Sequence, residues 1–248
     1  QLKVISSFGV GYDALDVVGA QRRGIAVGYT PDVLNDCVAD LAFALLLGIG
    51  RRVSEGDRFV REGHWSSGAV GPFPLGFQVS QAKLGIVGLG RIGATIAKRS
   101  TGFEMDVRYH SRKPVASEWT YEPSLIELAK WADFLVVITS GGAGTRHLIN
   151  REVLDALGPK GFLINVARGT VVDEAALVDA LQHKRIAGAA LDVFENEPFV
   201  PKELYELDNV LMVPHIASAT VQTRQAMGQR VLDNLDAFFK QQPLVSAA

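Results

Sequence analysis

The sequence predicts an α/β protein built on a doubly wound parallel sheet. Three observations carry this expectation. From residue 83 onward, short apolar runs alternate with longer amphipathic stretches, the strand–helix rhythm of a parallel sheet. The runs are continuously apolar rather than alternating, as strands covered on both faces must be. The first of them, with Leu84, Ile86 and Val87, leads into Gly88, Gly90 and Gly93 and then a helical stretch at 94–99.

Taken in order, residues 2–6 read as a strand, 13–22 as a helix closed by Gly24, and 25–29 as a second strand ended by Thr30 and Pro31. Two parallel strands alone make a poor sheet. The opening therefore reads as the tail of a domain whose earlier part precedes Gln1. Asn35 or Asp36 can cap a helix running to Arg51. That helix is apolar nearly all round between 38 and 47, which predicts burial between domains or between subunits. Residues 58–81 are interrupted by Gly63, Gly68, Gly71, Pro72, Pro74 and Gly76, with Trp65, Phe73 and Phe77 between them. Two readings stand for this stretch: an arm, lid or partner contact, or a surface loop stapled by its own aromatics. Beyond the glycines, strands are expected at 107–109, 134–138, 161–166, 187–193 and 210–213, giving six in all. Helices are expected at 124–131, 151–157 and 173–184, and a long amphipathic one at 218–239.

Composition narrows the function. The 248 residues suit one or two domains, and 48% hydrophobic with 21% charged residues suits a soluble chain with a large core. A net charge of −2 predicts no nucleic-acid surface. The single cysteine, Cys37, excludes an internal disulfide and suits a reducing, cytoplasmic setting. The longest apolar run, 41–49, is too short to cross a bilayer, so no membrane contact is expected. No metal site is expected either.

A glycine turn between strand and helix is an anion site. Gly88 permits the tight turn, Gly90 lets backbone approach a pyrophosphate, and Gly93 lets helix pack close to strand. The motif alone is weak, but this context makes Gly88, Gly90, Arg91, Ile92 and Gly93 candidates for holding a dinucleotide. In such folds a carboxylate about 20 residues on accepts the ribose 2′-hydroxyl of NAD. Here the second strand ends Tyr109-His110-Ser111-Arg112-Lys113, and Asp106 sits at its beginning. Ser111, Arg112 and Lys113 suit a 2′-phosphate, which predicts NADP(H) preferred with NAD(H) usable. A solvated basic loop is the competing reading. Arg168, the pair Glu195 and Glu197, and His215 each stand just past a later strand. An Arg there can grip a carboxylate and a His can move a proton. Each has an ordinary structural explanation alone; together, on the ligand-binding edge of one sheet, they point to an active site.

Gly-Leu-Gly-Arg-Ile-Gly at 88–93, Asn-Val-Ala-Arg-Gly at 165–169, Leu-Asp-Val-Phe-Glu-Asn-Glu-Pro at 191–198 and Pro-His-Ile-Ala-Ser at 214–218 share an order and spacing. In that pattern the chain closely resembles the D-isomer-specific 2-hydroxyacid dehydrogenases. Through 6–11, 24–34 and Ser111-Arg112 it most resembles their glyoxylate/hydroxypyruvate reductases. The resemblance spans essentially the whole chain. It implies a Rossmann dinucleotide-binding domain at 33–213, including a dimerisation helix and arm at 38–81. It also implies an incomplete flavodoxin-like substrate domain, formed by 1–32 and the returning segment 214–248, with a hinge near Pro31 and Pro214. The stretch Thr139-Ser140-Gly141-Gly142-Ala143 departs from the Pro-Leu loop that many relatives carry beside the cofactor.

The resemblance further implies a catalytic set of Arg168, Glu197 and His215. Arg168 binds the substrate carboxylate and polarises the carbonyl. His215 protonates the carbonyl oxygen as hydride arrives, and Glu197 stabilises the protonated imidazole. Backbone N–H groups of Val10 and Gly11 complete the carboxylate site, and Asp192 lies near the nicotinamide. His110 belongs to the cofactor loop; His64, His147 and His183 are surface or structural. The implied activity is NADPH-dependent reduction of glyoxylate or hydroxypyruvate to the D-2-hydroxy acid by a homodimer, with Trp65 or Phe73 reaching the partner's site. Two rivals remain: reduction of a bulkier aromatic 2-oxo acid, and a non-enzymatic, corepressor-like dinucleotide sensor.

Overall fold

The computed structural model describes residues 1–67 and 72–248. Gly68 and Gly71, counted above among the interruptions of the loop, lie outside the described residues. Two parallel sheets organise the chain. The smaller pairs β1 (Val4–Ser6) with β2 (Ala26–Gly28), joined by α1 (Val17–Arg22). The Asp16 carboxylate caps α1 by accepting from the Gly19 N–H at 2.8 Å. The helix therefore begins later than the expected residue 13, and Asp13 is left outside it.

Three helices follow: α2 (Asn35–Gly50), α3 (Val53–Arg61) and α4 (His64–Ser67). Neither Asn35 nor Asp36 caps α2. Leu34 holds the cap position without a side-chain bond, and Asp36 instead pairs with Arg99 at 3.0 Å. The apolar circumference of α2 is used inside the chain. Gly48 lies under Leu211, Ile49 against Gly188, and Gly50 against the Phe134 ring. The stretch expected to be irregular from 58 onward thus opens with helix. Phe73 packs edge-on to Phe59 with ring centroids 5.3 Å apart and is a local staple, whereas Phe77 meets Phe134 at 5.5 Å and anchors the segment to the core. Trp65 and Leu75 are instead 77% and 95% exposed.

The larger sheet contains β3 (Lys83–Val87), β4 (Asp106–His110), β5 (Thr120–Tyr121), β6 (Phe134–Val137), β7 (Phe162–Asn165), β8 (Gly188–Leu191) and β9 (Val210–Met212). Its order is β5-β4-β3-β6-β7-β8-β9, with every pairing parallel. This is the doubly wound arrangement, with one strand more than the six expected. The addition, β5, is two residues long and registers Tyr121 on Tyr109. No apolar run marks it, because an edge strand this short buries little.

Helices α5 (Arg91–Ser100), α6 (Leu125–Trp131), α7 (Arg151–Leu157) and α8 (Glu174–Gln182) connect the strands. Successive side chains of β6 enter opposite cores: Phe134 and Val136 join the layer with α2 and α5, Leu135 and Val137 the layer with α6, α7 and α8. Burial on both sides explains why such strands read as continuous apolar runs. Strand order reverses between β3 and β6, which opens a crevice beyond their carboxyl ends.

The last helix, α9 (Val221–Phe239), packs with the chain end onto the small sheet. The buried Asn234 donates to the Tyr29 carbonyl at 3.2 Å and accepts from the Ser246 N–H at 2.9 Å. The Ser246 hydroxyl donates to the same Tyr29 carbonyl at 2.6 Å. Buried polar groups are tolerated when satisfied in this way. Among the described residues no helix is long and apolar enough to cross a membrane.

Candidate active site

A cleft of about 870 Å³ lies between the two sheets. The 8–13 turn and α9 line one wall; the glycine turn, the 138–141 loop, Ala167, Arg168, Asp192 and His215 line the other.

The glycine turn opens the α5 wall. Gly88 adopts φ +106°, and its N–H donates to the His110 carbonyl at 2.8 Å. A Cβ there would press to 2.9 Å from the Thr139 backbone. A Cβ on Gly93 would run into the Gly88 carbonyl, so the third glycine is fixed by helix-to-strand contact. Gly90 caps α5 without a side chain, and a Cβ on it would meet nothing within 4 Å. The amides of Arg91, Ile92 and Gly93 have no acceptor earlier in the helix and stand at the positive end of its dipole. Open space in front of these donors fits a pyrophosphate. Arg91 donates through Nε to Asp32 at 3.0 Å, across the mouth of the cleft.

The candidate 2′-phosphate loop lies apart from this cleft, at the end of β4. It is tied to the glycine turn through the Gly88–His110 bond. The Ser111 hydroxyl donates to the Lys113 carbonyl at 2.6 Å, so its hydrogen is already engaged within the loop. Arg112 and Lys113 are exposed, and neither side chain has an ion pair among the described residues.

Arg168 is carried just past β7 by a braced turn. The buried Asn165 donates through Nδ2 to the Arg168 carbonyl at 3.0 Å, and its Oδ1 accepts from the Ala167 N–H at 3.1 Å. A Cβ on Gly169 would overlap the backbone of Phe194 and Glu195, which locks this turn against the next strand end. The guanidinium donates from Nη1 to the Ala167 carbonyl at 2.8 Å and from Nε to Asp13 at 3.2 and 3.4 Å. Gly11 sits directly against Nη2, since a Cβ there would collide with it. Val10, Gly11 and Arg168 are thereby brought together.

The two carboxylates after β8 diverge. Glu195 accepts from Arg146 at 2.6 Å and His147 at 3.0 Å, away from the cleft. Glu197 accepts from His215 Nδ1 at 2.7 Å, and its other oxygen accepts from the Phe194 N–H at 3.1 Å. His215 lines the cleft with Nε2 unbonded among the described residues. It adopts φ +53°, uncommon for a non-glycine residue.

Asp192 holds that turn. It is fully buried, and its carboxylate accepts from the Ile216 and Ala217 N–H groups at 2.6 and 3.1 Å. Its carbonyl accepts from the His215 N–H at 2.9 Å. Burial pushes the Asp192 carboxyl above the usual range, against the opposing pull of those two amides. Asp192 thus lines the cleft and also builds the histidine turn. Among the described residues no group of three His, Cys, Asp or Glu is placed to hold a metal ion.

Sequence reasoning missed three residues here. Asp13 was hidden as the expected start of a helix, although Asp16, three residues before Gly19, was the better cap. Asn165 was read as part of a motif without its bracing role. Gly141 was noted only as a departure, yet a Cβ there would stand 2.8 Å from Arg168 Cγ and 3.0 Å from Asp13 Oδ2.

Residues 43–217 match the family profile described as D-isomer specific 2-hydroxyacid dehydrogenase, NAD binding domain. The chain is 47% identical over 247 residues to a hydroxyphenylpyruvate reductase of Plectranthus scutellarioides, covering 99% of this chain and 78% of the relative. It is likewise 47% identical over 247 residues to a glyoxylate/hydroxypyruvate reductase A of Arabidopsis thaliana, with the same coverage. Among solved structures it is similar, at a TM-score of 0.95 and 48% identity, to an NADPH-dependent glyoxylate/hydroxypyruvate reductase of Sinorhizobium meliloti in complex with NADP and malonate. That match covers 100% of this chain and 77% of the other. A seven-stranded dinucleotide sheet, the arginine and histidine turns facing one cleft, and these matches lead to one conclusion: the chain belongs to the D-isomer-specific 2-hydroxyacid dehydrogenases and is an oxidoreductase of that family.

Proposed function

We propose that the protein reduces a small 2-oxo acid, glyoxylate or hydroxypyruvate, to the D-2-hydroxy acid, with NADPH preferred over NADH. The carrying observation is the His215–Glu197 pair, with a bare Nε2 in the same cleft as Arg168. Arg168 Nη2 and the amides of Val10 and Gly11 bind the substrate carboxylate and set its plane. With Nδ1 donated to Glu197, His215 presents Nε2–H to the carbonyl oxygen and supplies the proton. Glu197 fixes the ring and offsets the imidazolium charge. When bound, the nicotinamide supplies hydride to the carbonyl carbon. The turn at 88–93 holds the pyrophosphate, and Arg112 and Lys113 hold the 2′-phosphate. The absence of a carboxylate at the end of β4, and the NADP complex of the Sinorhizobium relative, support that cofactor choice.

The same reading assigns 1–32 and 214–248 to the substrate domain and 33–213 to the dinucleotide domain. Two copies assemble through the 38–81 region, where the exposed Trp65 and Leu75 would be covered. Light scattering reads that assembly, and a single-chain mass would overturn it. A second reading has its own support: Phe8, Tyr12 and Tyr29 line the cleft, and the Plectranthus relative is a hydroxyphenylpyruvate reductase. One assay decides. Loss of NADPH absorbance is followed with glyoxylate, hydroxypyruvate and phenylpyruvate. Higher kcat/KM for the two small acids supports the first reading, and higher kcat/KM for phenylpyruvate replaces it with the second. No turnover of any of them would overturn both.

A further inference from the structure

We infer that Asp13 is a positioning residue for substrate recognition: it holds the Arg168 guanidinium so that Nη2 rests against Gly11 in the cleft that Val10 and Gly11 line. The inference rests on Arg168 as the carboxylate-binding residue.

A long arginine side chain loses considerable rotamer freedom when fixed, so a productive orientation needs local anchors. Here two of its three nitrogens are engaged. Nη1 donates to the Ala167 carbonyl at 2.8 Å, and Nε donates to both oxygens of Asp13 at 3.2 and 3.4 Å. Nη2 alone carries no hydrogen bond among the described residues. It rests against Gly11, whose amide, with that of Val10, also lacks an acceptor among the described residues. Three donor groups without partners therefore belong to residues that line the same cleft, which suits a single carboxylate.

Asp13 is well placed for this task. Its side chain is 29% exposed and that of Arg168 31% exposed, so the pair is shielded more than a free surface pair. It comes from the turn that also carries Gly11, whereas Arg168 comes from the end of β7. The bond thus sets the guanidinium relative to the very amides with which it must act. Space for the pair is left by missing side chains. A Cβ on Gly141 would crowd both Arg168 and Asp13, and one on Gly11 would crowd Nη2 and stand 2.9 Å from Asp13 Oδ1.

A competing carboxylate, one that occupies the substrate's own place, would predict the opposite effect on binding. The two are separated by Asp13→Ala and Asp13→Asn. Asn keeps an oxygen that accepts from Nε; Ala keeps none. In the NADPH-loaded protein, calorimetry measures the affinity for oxamate, a 2-oxo acid mimic whose amide carbonyl is not reduced. Steady-state assays give KM and kcat for the best 2-oxo acid. The expected result for Asp13→Ala is about tenfold or more weaker oxamate binding and a matching rise in KM, with a smaller change in kcat. NADPH affinity stays at the wild-type value, and Asp13→Asn recovers most of the loss. Unchanged or tighter oxamate binding in Asp13→Ala would overturn the inference. So would a loss that Asp13→Asn does not rescue, or an equal loss of NADPH affinity. Failure of the wild-type protein to turn over any 2-oxo acid would count against the proposed reaction, while the oxamate comparison would still judge Asp13.

Discussion

His215 stands in a left-handed backbone conformation, held by the Asp192 carbonyl and by two amides that follow it onto the Asp192 carboxylate. The imidazole is therefore aimed by its backbone first and by Glu197 second. A ring fixed at both ends has little orientational freedom left to lose when a substrate arrives. Replacing it tests the proposed proton donor directly. His215→Ala removes the proposed acid and leaves the glycine turn and Arg168 untouched. The expected loss in kcat is about 10²- to 10⁴-fold, the usual worth of a positioned general acid, with NADPH affinity retained. Single-turnover kinetics with fluorescence-monitored NADPH binding separates the two quantities, and an unchanged rate would remove His215 from the mechanism. Much of this residue-level arrangement was legible in the sequence, because Arg168, Glu197 and His215 each follow an apolar run that ends at the ligand side of the sheet. Asp13 was not legible, since its partner lies 155 positions away and no local pattern encodes such a contact.

At the scale of elements, the glycine turn between β3 and α5 was readable because it combines buried apolar residues, steric need for glycine and a helix period in one short stretch. β5 and α3 were not readable. The first is two residues long, and the second runs from Val53, where no element was expected, into the start of a stretch whose glycines suggested loop. Pairing with β4 holds β5, whereas α3 buries none of its residues fully. The junction of α8 with the turn after β8 offers a test of packing between elements. Glu174, at the start of α8, accepts from the Glu195 N–H at 3.1 Å. Its carboxyl is pushed above the ordinary 4.5, chiefly by burial and further by the Glu195 charge, against that hydrogen bond. A carboxyl with a raised folded pKa binds its proton more tightly in the native state. Its contribution is fully present below the unfolded value and is lost as pH rises through the folded one. Glu174→Gln keeps an acceptor for the Glu195 amide without the charge. Urea unfolding is therefore expected to show the variant gaining on the wild type as pH rises above about 4.5. A stability difference that does not change with pH would refute this account of the junction.

For the whole molecule, among the described residues, two ion pairs join the segments on either side of the cleft: Asp13 with Arg168 and Asp32 with Arg91. Each joins the small sheet's segment to the large sheet. Arg91 belongs to the turn expected to meet a pyrophosphate, so cofactor binding acts where the two halves are already tied. A ligand that binds only the folded state stabilises it by mass action, about 2.7 kcal/mol at a hundredfold excess over Kd. For a chain of this size that corresponds to a Tm increase of roughly 5–10 °C. NADPH and NADH differ only in the 2′-phosphate, so the difference between their shifts isolates the loop after β4. With NADPH preferred, the Tm shift at equal concentration is larger for NADPH than for NADH. In the double variant Arg112→Ala, Lys113→Ala the NADPH shift falls to the NADH value, because charged hydrogen bonds worth about 1.5–3 kcal/mol each are removed. The NADH shift stays where it was, which separates loss of phosphate recognition from damage to the glycine turn. Equal shifts for both cofactors in the wild type would show that the basic loop is merely solvated, and would overturn the preference for NADPH.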